Sequence, residues 1–244
     1  MNLSISLFTK GKTARVKLNT SVITADLIIQ FNQVLDQLEA ENSYNLFLLE
    51  GQENFCLGID PESFLLTEDS PHITIFQKWE KLCRRIEKLN MHTVIAIKGS
   101  CTAFGVSLML ACDINLVSDQ TIFTIRESSQ GFLPPIAILN LGKYIGLGRV
   151  KALVIEGRSF SSQEAQQWGM INYILPDHNF DTELNSYIEG IKINNKEAIK
   201  LNRRLLSEAY ASSYEDFIGS YLAAQHRAIN TEDFARIKHE VLYS

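Results

Sequence analysis

Proline and glycine are scarce in this sequence, 5 and 13 in 244 residues. That excludes collagen-like chains and low-complexity disordered ones, which are rich in both. Cysteine is scarcer still. Cys56, Cys83, Cys101 and Cys112 have no Cys-x-x-Cys spacing and sit in apolar or helical contexts. Reduced, metal-free thiols in a reducing compartment such as the cytoplasm are expected. His72, His92, His178, His226 and His239 are scattered, with no paired spacing that would suit a metal ion. A basic excess is also missing: 23 Lys and Arg against 28 Asp and Glu leave a net charge of −5. That is the wrong sign for a protein that binds by neutralising nucleic-acid phosphates. No apolar run approaches about 18 residues, so no membrane span is expected. The N-terminal MNLSISLFTKGK alternates like a strand and lacks the apolar core of a signal peptide.

What is present is an ordinary globular composition, 45% hydrophobic and 21% charged, in a chain long enough to bury a sizeable core. Residues 3–8 and 13–18 alternate around Gly11 as a hairpin does, and residues 24–42 carry apolar side chains at helical spacing. YNLFLLEG and TVIAIKG are continuous apolar runs that predict buried strands, with a helix over 73–90 between them and a short one over 104–112 after them. DINLVSD and TIFTI add two more strands. Covered strands alternating with helices indicate an α/β protein. After about residue 185 the strand patterns stop. Residues 194–211, 213–230 and 231–243 are three helical patterns, the last two opening on Ser213 and Thr231 with acidic residues behind them. The chain thus divides into a core over 1–188 and a helical region over 189–244. Leu205, Leu206, Phe217, Tyr221 and Leu222 of that region need a surface to pack on, their own core or a neighbouring subunit.

Two stretches suit chemistry by the main chain. In ENFCLGIDPESF an apolar run breaks at Gly58 before Ile59 and Asp60, and in GSCTAFGVSLMLACD a strand exit at Gly99 leads into a helix near Phe104. A helix N-terminus offers unpaired N–H groups and partial positive charge, which stabilise an oxygen that becomes negative. Two such donors aimed at one point form an oxyanion hole, worth roughly 3 kcal/mol for each donor.

Taken together, Phe-Cys-x-Gly-x-Asp at 55–60, Gly99 with Ala103, Gly105 and Leu108 running into Ala-Cys-Asp at 111–113, FTIRESSQGFLP, and GRVKALVIEGRSFSSQEAQQWGMINYIL resemble the enoyl-CoA hydratase/isomerase, or crotonase, family. The resemblance extends from about residue 10 to 176. It implies a spiral of ββα units with a C-terminal helical region that mediates trimer or hexamer formation. It also implies acyl thioesters of coenzyme A, or of the phosphopantetheine arm of an acyl carrier protein, as ligands, with no cofactor beyond that handle. Carried over by position, the oxyanion hole falls to the N–H groups of Ile59 and Phe104. Gly58, Gly105, Asp60 and Ser107 fall at the substrate, although Asp60 also suits a plain turn cap.

Family hydratases typically use two glutamates. Here the first position is Ser107 and the second is Glu127, four residues after Phe123. Burial beside an apolar strand would raise the Glu127 pKa into a range useful for proton transfer, and Arg126 beside it should face the other way. Ser107 either holds the substrate hydroxyl or a water, or is a small residue facing its own helix. The one-glutamate pattern, Ala103 at the start of the helix, FCLGID, QKWEKL and SSQEAQQWG look like the polyketide β-branching dehydratases, which remove water from a 3-hydroxy-3-methylglutaryl group on a carrier protein. The alternatives are a Δ3,Δ2-enoyl-CoA isomerase and a catalytically weak acyl-thioester binder. Lys78, Lys81, Arg84, Arg85 and Lys88 make one helix locally basic, suited either to acidic partners or coenzyme phosphates or to plain solvation. His239, beside Lys238, lies either near a neighbouring site or on an exposed face.

Overall fold

The computed structural model describes residues 3–60, 71–130, 141–191 and 195–209, with a few isolated positions between and beyond them. Each turn of the chain lays one strand in a large sheet, one short strand in a smaller sheet, and then a helix. The first turn comprises β2 (Thr13–Leu18), β3 (Val22–Ile23) and α1 (Ala25–Glu41), preceded by β1 (Ile5–Lys10). The second comprises β4 (Leu46–Glu50), β5 (Gly58–Ile59) and α2 (Pro71–Glu87), and the third β6 (His92–Ile97), β7 (Ser100–Thr102) and α3 (Ala103–Ala111). The fourth opens with β8 (Ile114–Ser118) and β9 (Ile122–Thr124) and continues into a 3-10 turn at Glu127–Gln130. Beyond it come α4 (Gly142–Ile145), α5 (Leu147–Glu156), β10 (Ser159–Ser161), α6 (Ser162–Gln167), β11 (Tyr173–Leu175), α7 (Phe180–Gly190) and α8 (Lys196–Ala209). The spiral of ββα units expected from the resemblance is therefore the observed architecture.

The large sheet runs β1-β2-β4-β6-β8-β11, antiparallel only at the β1–β2 hairpin and parallel in every later pair. Parallel strands need cover on both faces, which explains the unbroken apolar runs. Phe47, Leu49, Ile95, Ile97 and Val117 point into the main core under α1, α2 and α3. Their neighbours Leu46, Leu48, Val94, Ala96 and Leu116 point the other way, onto Phe180 and Leu184 of α7. Strand alternation sorts these two sets without any polar residue to mark them.

Helix α1 follows from local rules. Thr24 caps it by accepting the Leu27 N–H at 3.0 Å, and Asn42 ends it in the left-handed region at φ 44°. Leu27, Ile28, Phe31, Leu35 and Leu38 form its buried stripe. Trimming the fully buried Phe31 to alanine would cost about 3–5 kcal/mol.

Of the C-terminal helical patterns, the first is α8. The patterns over 213–230 and 231–243, with Phe217, Tyr221, Leu222, His226 and His239, lie almost wholly outside the described residues. Arg203 pins α8 to the core. Its Nε donates to Asp113 Oδ1 at 2.6 Å and its Nη2 to Asp113 Oδ2, while Nη1 and Nη2 also donate to the carbonyls of Leu89 and Met91. Asp113 stands just past α3, accepts the Thr93 N–H at 2.8 Å, and returns its own N–H to Thr93. Burial alone would raise its carboxyl pKa. The bonds from His92, Arg203 and Thr93 and the charge of Arg203 together hold it well below the carboxylate range.

Candidate active site

Two strand exits far apart in sequence are sewn side by side. Phe55 N–H donates to Lys98 O at 3.0 Å, Cys56 N–H to Ser100 O at 3.0 Å, and Thr102 N–H to Cys56 O at 2.9 Å. Asn54 Oδ1 accepts the Ser100 N–H at 3.0 Å. Gly99 is required at this crossing: its φ is +60°, and a Cβ there would stand 2.0 Å from Glu53 O. Residues 54–59 and 99–105 thus run together, and β5 packs against α3.

Within this seam, Gly58 turns the chain at φ +117° and presents Ile59, which is half-buried. Leu57 N–H, before it, goes to Ser21 O at 2.7 Å, and Asp60 N–H, after it, to Ile23 O at 2.9 Å. Asp60 so closes the edge of β5. Phe104 is the second residue of α3, where an α-helix gives its N–H no internal partner. The Phe104 side chain packs into the core. It is 1% exposed, and its ring lies 5.5 Å from Phe76 and 5.8 Å from Trp79, in the packing of α3 on α2. A phenyl group at the start of this helix is therefore absorbed by the core. Gly105 admits no such change, since a Cβ there would stand 2.7 Å from both Cys56 Cβ and Cys101 Sγ.

Glu127 opens the 3-10 turn that packs against α5 and is 4% exposed. Burial pushes its carboxyl pKa up, and the N–H groups of Glu127 and Arg126 and the charge of Arg126 offset this only in part. Among the described residues its Oε2 has no hydrogen-bond partner. A buried carboxylate with a free oxygen is costly unless something arrives to use it. Arg126 is exposed, as expected, although it lies beyond the end of β9 at Thr124. β9, which leads to Glu127, pairs in parallel with β7 at the head of α3, with Thr124 opposite Thr102. Glu127, three residues beyond Thr124, therefore leaves the strand that lies beside the exit into α3.

Ser107 is buried, and its hydroxyl donates to Ala103 O at 2.9 Å within α3. Its proton is engaged inside the helix; of the two readings left open, this is the one facing its own helix. The basic helix is also changed by the structure. Arg84 pairs with Glu80 at 3.0 Å and Glu87 at 2.9 Å, and Arg85 with Asp36 at 2.6 Å and Glu39 at 2.7 Å. Its two arginines thus answer neighbouring carboxylates, which removes the strongest cations from the expected patch. Among the described residues no group of three His, Cys, Asp or Glu could hold a metal ion, and no helix is long and apolar enough to cross a membrane. Sequence reasoning missed Cys56 and Thr102, whose side chains meet at 3.5 Å across 46 positions.

The model of the family described as enoyl-CoA hydratase/isomerase matches residues 10–237. The mitochondrial Delta(3,5)-Delta(2,4)-dienoyl-CoA isomerase of Dictyostelium discoideum is 25% identical over 218 residues, covering 78% of this chain and 73% of that protein. An enoyl-CoA hydratase structure from Bacillus anthracis superposes with a TM-score of 0.86 at 22% identity, covering 94% of this chain and 92% of the other. A Thermobifida fusca structure solved in complex with acetoacetyl-CoA gives 0.82 at 17% identity, with 92% and 94% covered. With a match that spans nearly its whole length and an architecture to suit, this chain belongs to the enoyl-CoA hydratase/isomerase family.

Proposed function

We propose that this protein is an acyl-thioester lyase that eliminates water from a 3-hydroxyacyl thioester by enolate chemistry, with Glu127 as its one catalytic carboxylate. The observation that carries this reading is the buried Glu127, with its raised pKa and unpartnered Oε2, beside two main-chain turns suited to an oxyanion. The thioester oxygen accepts from the N–H groups of Ile59 and Phe104, which makes the α-proton acidic enough to remove. Glu127 takes that proton and the electron pair moves onto the oxygen. When the enolate collapses, the bond from the β-carbon to the hydroxyl breaks, the departing oxygen takes the proton from Glu127, and water leaves. The carboxylate is restored and atoms balance. A raised pKa helps both halves, giving a stronger base first and a usable acid afterwards.

The ligand's handle is coenzyme A or a carrier protein's phosphopantetheine, and the branched 3-hydroxy-3-methylglutaryl group is the acyl part that the sequence pattern favours. The acetoacetyl-CoA complex of a fold relative supports a thioester ligand. Assembly as a trimer or hexamer belongs to the same proposal, and the outward Tyr144, Leu147 and Ile155 of α4 and α5 supply apolar surface for it.

The Ser107 bond favours a second reading. A group that neither holds water nor supplies a second acid suits a double-bond shift, in which Glu127 returns the proton to the γ-carbon; the dienoyl-CoA isomerase relative is consistent with that. Turnover in 18O-labelled water separates the two. Elimination run to equilibrium exchanges the hydroxyl oxygen with solvent, and a product equilibrated without any label while its double bond moves would make the enzyme an isomerase.

A further inference from the structure

Helix α3 opens on Thr102, which has the extended backbone of an N-cap at φ −82° and ψ 176°, yet its side chain accepts nothing from the helix. A threonine in that place ordinarily takes the N–H of the second or third helical residue. In α3 those are Phe104 and Gly105. The first is the amide that the proposed mechanism reserves for the thioester oxygen, so a Thr102 hydroxyl turned onto that amide would compete with the ligand.

The structure contains the group that draws the hydroxyl away. Thr102 Oγ1 lies 3.5 Å from Cys56 Sγ, with both atoms buried. Cys56 cannot drift from this contact. Its N–H and carbonyl are bonded to Ser100 and Thr102 at 3.0 and 2.9 Å, and its Cβ fills the space a side chain on Gly105 would need. Burial keeps the thiol protonated and neutral, so it can answer a hydroxyl as donor or acceptor. The contact also lies beside the strand that leads to Glu127, since Thr102 pairs with Thr124 across β7 and β9.

We infer that Cys56 is a positioning residue: its sulfur holds the Thr102 hydroxyl off the first turn of α3 and so keeps the Phe104 amide open for the ligand's oxygen. This rests on the enolate chemistry proposed above and adds a residue that touches no substrate. A cysteine here is then neither redox-active nor nucleophilic. It acts by competing for a hydroxyl that would otherwise close the helix.

The test is a cycle of Cys56→Ala, Thr102→Val and the double variant, with Cys56→Ser alongside. Two quantities are read on the full chain: turnover of a 3-hydroxyacyl thioester, and the ultraviolet enolate absorption of bound acetoacetyl-CoA per mole bound, with coenzyme A affinity and thermal unfolding as controls. Cys56→Ala frees the hydroxyl to cap, and should lower both readings roughly five- to tenfold, the occupancy an N-cap of ordinary strength takes from the ligand. Coenzyme A affinity should be unmoved. Cys56→Ser keeps a partner for Thr102 and should stay near the wild type. The double variant has no hydroxyl left to cap, and should recover most of the loss although it has lost more atoms. A packing defect at position 56 would not be rescued in this way. Full activity in Cys56→Ala, or a double variant as poor as the single, overturns the inference while leaving the enolate reading intact. A wild type that gives neither turnover nor enolate signal with any acyl thioester overturns both.

Discussion

Helices α1 and α3 begin alike and are finished differently. Both have threonine at the N-cap in extended backbone, but Thr24 accepts the Leu27 N–H at 3.0 Å whereas Thr102 caps nothing. The helix that only builds the core is closed by its own sequence. The helix that faces the proposed ligand takes no bond from its threonine and is held at its far end, by the Asp113–Arg203 pair. Helix stability is given up locally where the proposed mechanism calls for a donor and recovered by tertiary bonds elsewhere.

The largest way to break this comparison is to remove the group the open end serves. Glu127→Gln should lower kcat by about 10²–10⁴ if Glu127 moves the proton, and retention of full rate would remove the mechanism. The same variant has a stability signature. Because the folded-state pKa of Glu127 is raised, its contribution is fully present at acid pH and is lost as pH rises through that pKa. The glutamine variant should therefore match or exceed the wild type in thermal stability at neutral pH and lose that advantage in acid. In the wild type, kcat/KM should rise with pH through a limb above the ordinary glutamate value.

Next comes the locked end of α3. Asp113→Asn leaves the Arg203 guanidinium, half-buried, without its charge partner, and should cost about 3 kcal/mol by denaturant unfolding. The sign in pH is opposite to that of Glu127. The Asp113 pKa is lowered, so its contribution is present above the ordinary carboxylate range and is lost as pH falls. A variant as stable as the wild type at neutral pH would show that α8 is not what secures α3. A smaller effect is expected at Gly105→Ala, where the new Cβ meets Cys56 Cβ and Cys101 Sγ at 2.7 Å and should cost about 1–3 kcal/mol by overpacking.

The difference between the two helices also marks what was legible in the sequence. The buried face of α1 follows from apolar spacing, and its cap from Thr24 alone. In α3 the residues Ala103–Met109 are all buried, so no periodicity tells which side meets what. Its two governing contacts, Thr102 with Cys56 and Asp113 with Arg203, span 46 and 90 positions. Each involves a residue type with no preferred partner in sequence. The strand β5, two residues long, is likewise visible only as a glycine break. Glu127 was identified through family resemblance and its burial was expected from the apolar strand before it; the 3-10 turn that it opens was not. The arginines of α2 read as a basic face because Asp36 and Glu39, which answer Arg85, lie on a different helix.

The smallest prediction tests the comparison most directly. Valine replaces the threonine hydroxyl by a methyl group of nearly the same size, so it removes a cap where one exists and little else. Thr24→Val should destabilise by about 1 kcal/mol, since the Leu27 amide loses its acceptor. Thr102→Val has no cap to lose, and it replaces only a 3.5 Å contact with sulfur. Its unfolding free energy should stay within about 0.5 kcal/mol of the wild type. Equal losses at both sites in urea titrations would mean that Thr102 caps α3 in solution. The two helices would then differ in nothing that matters to the ligand.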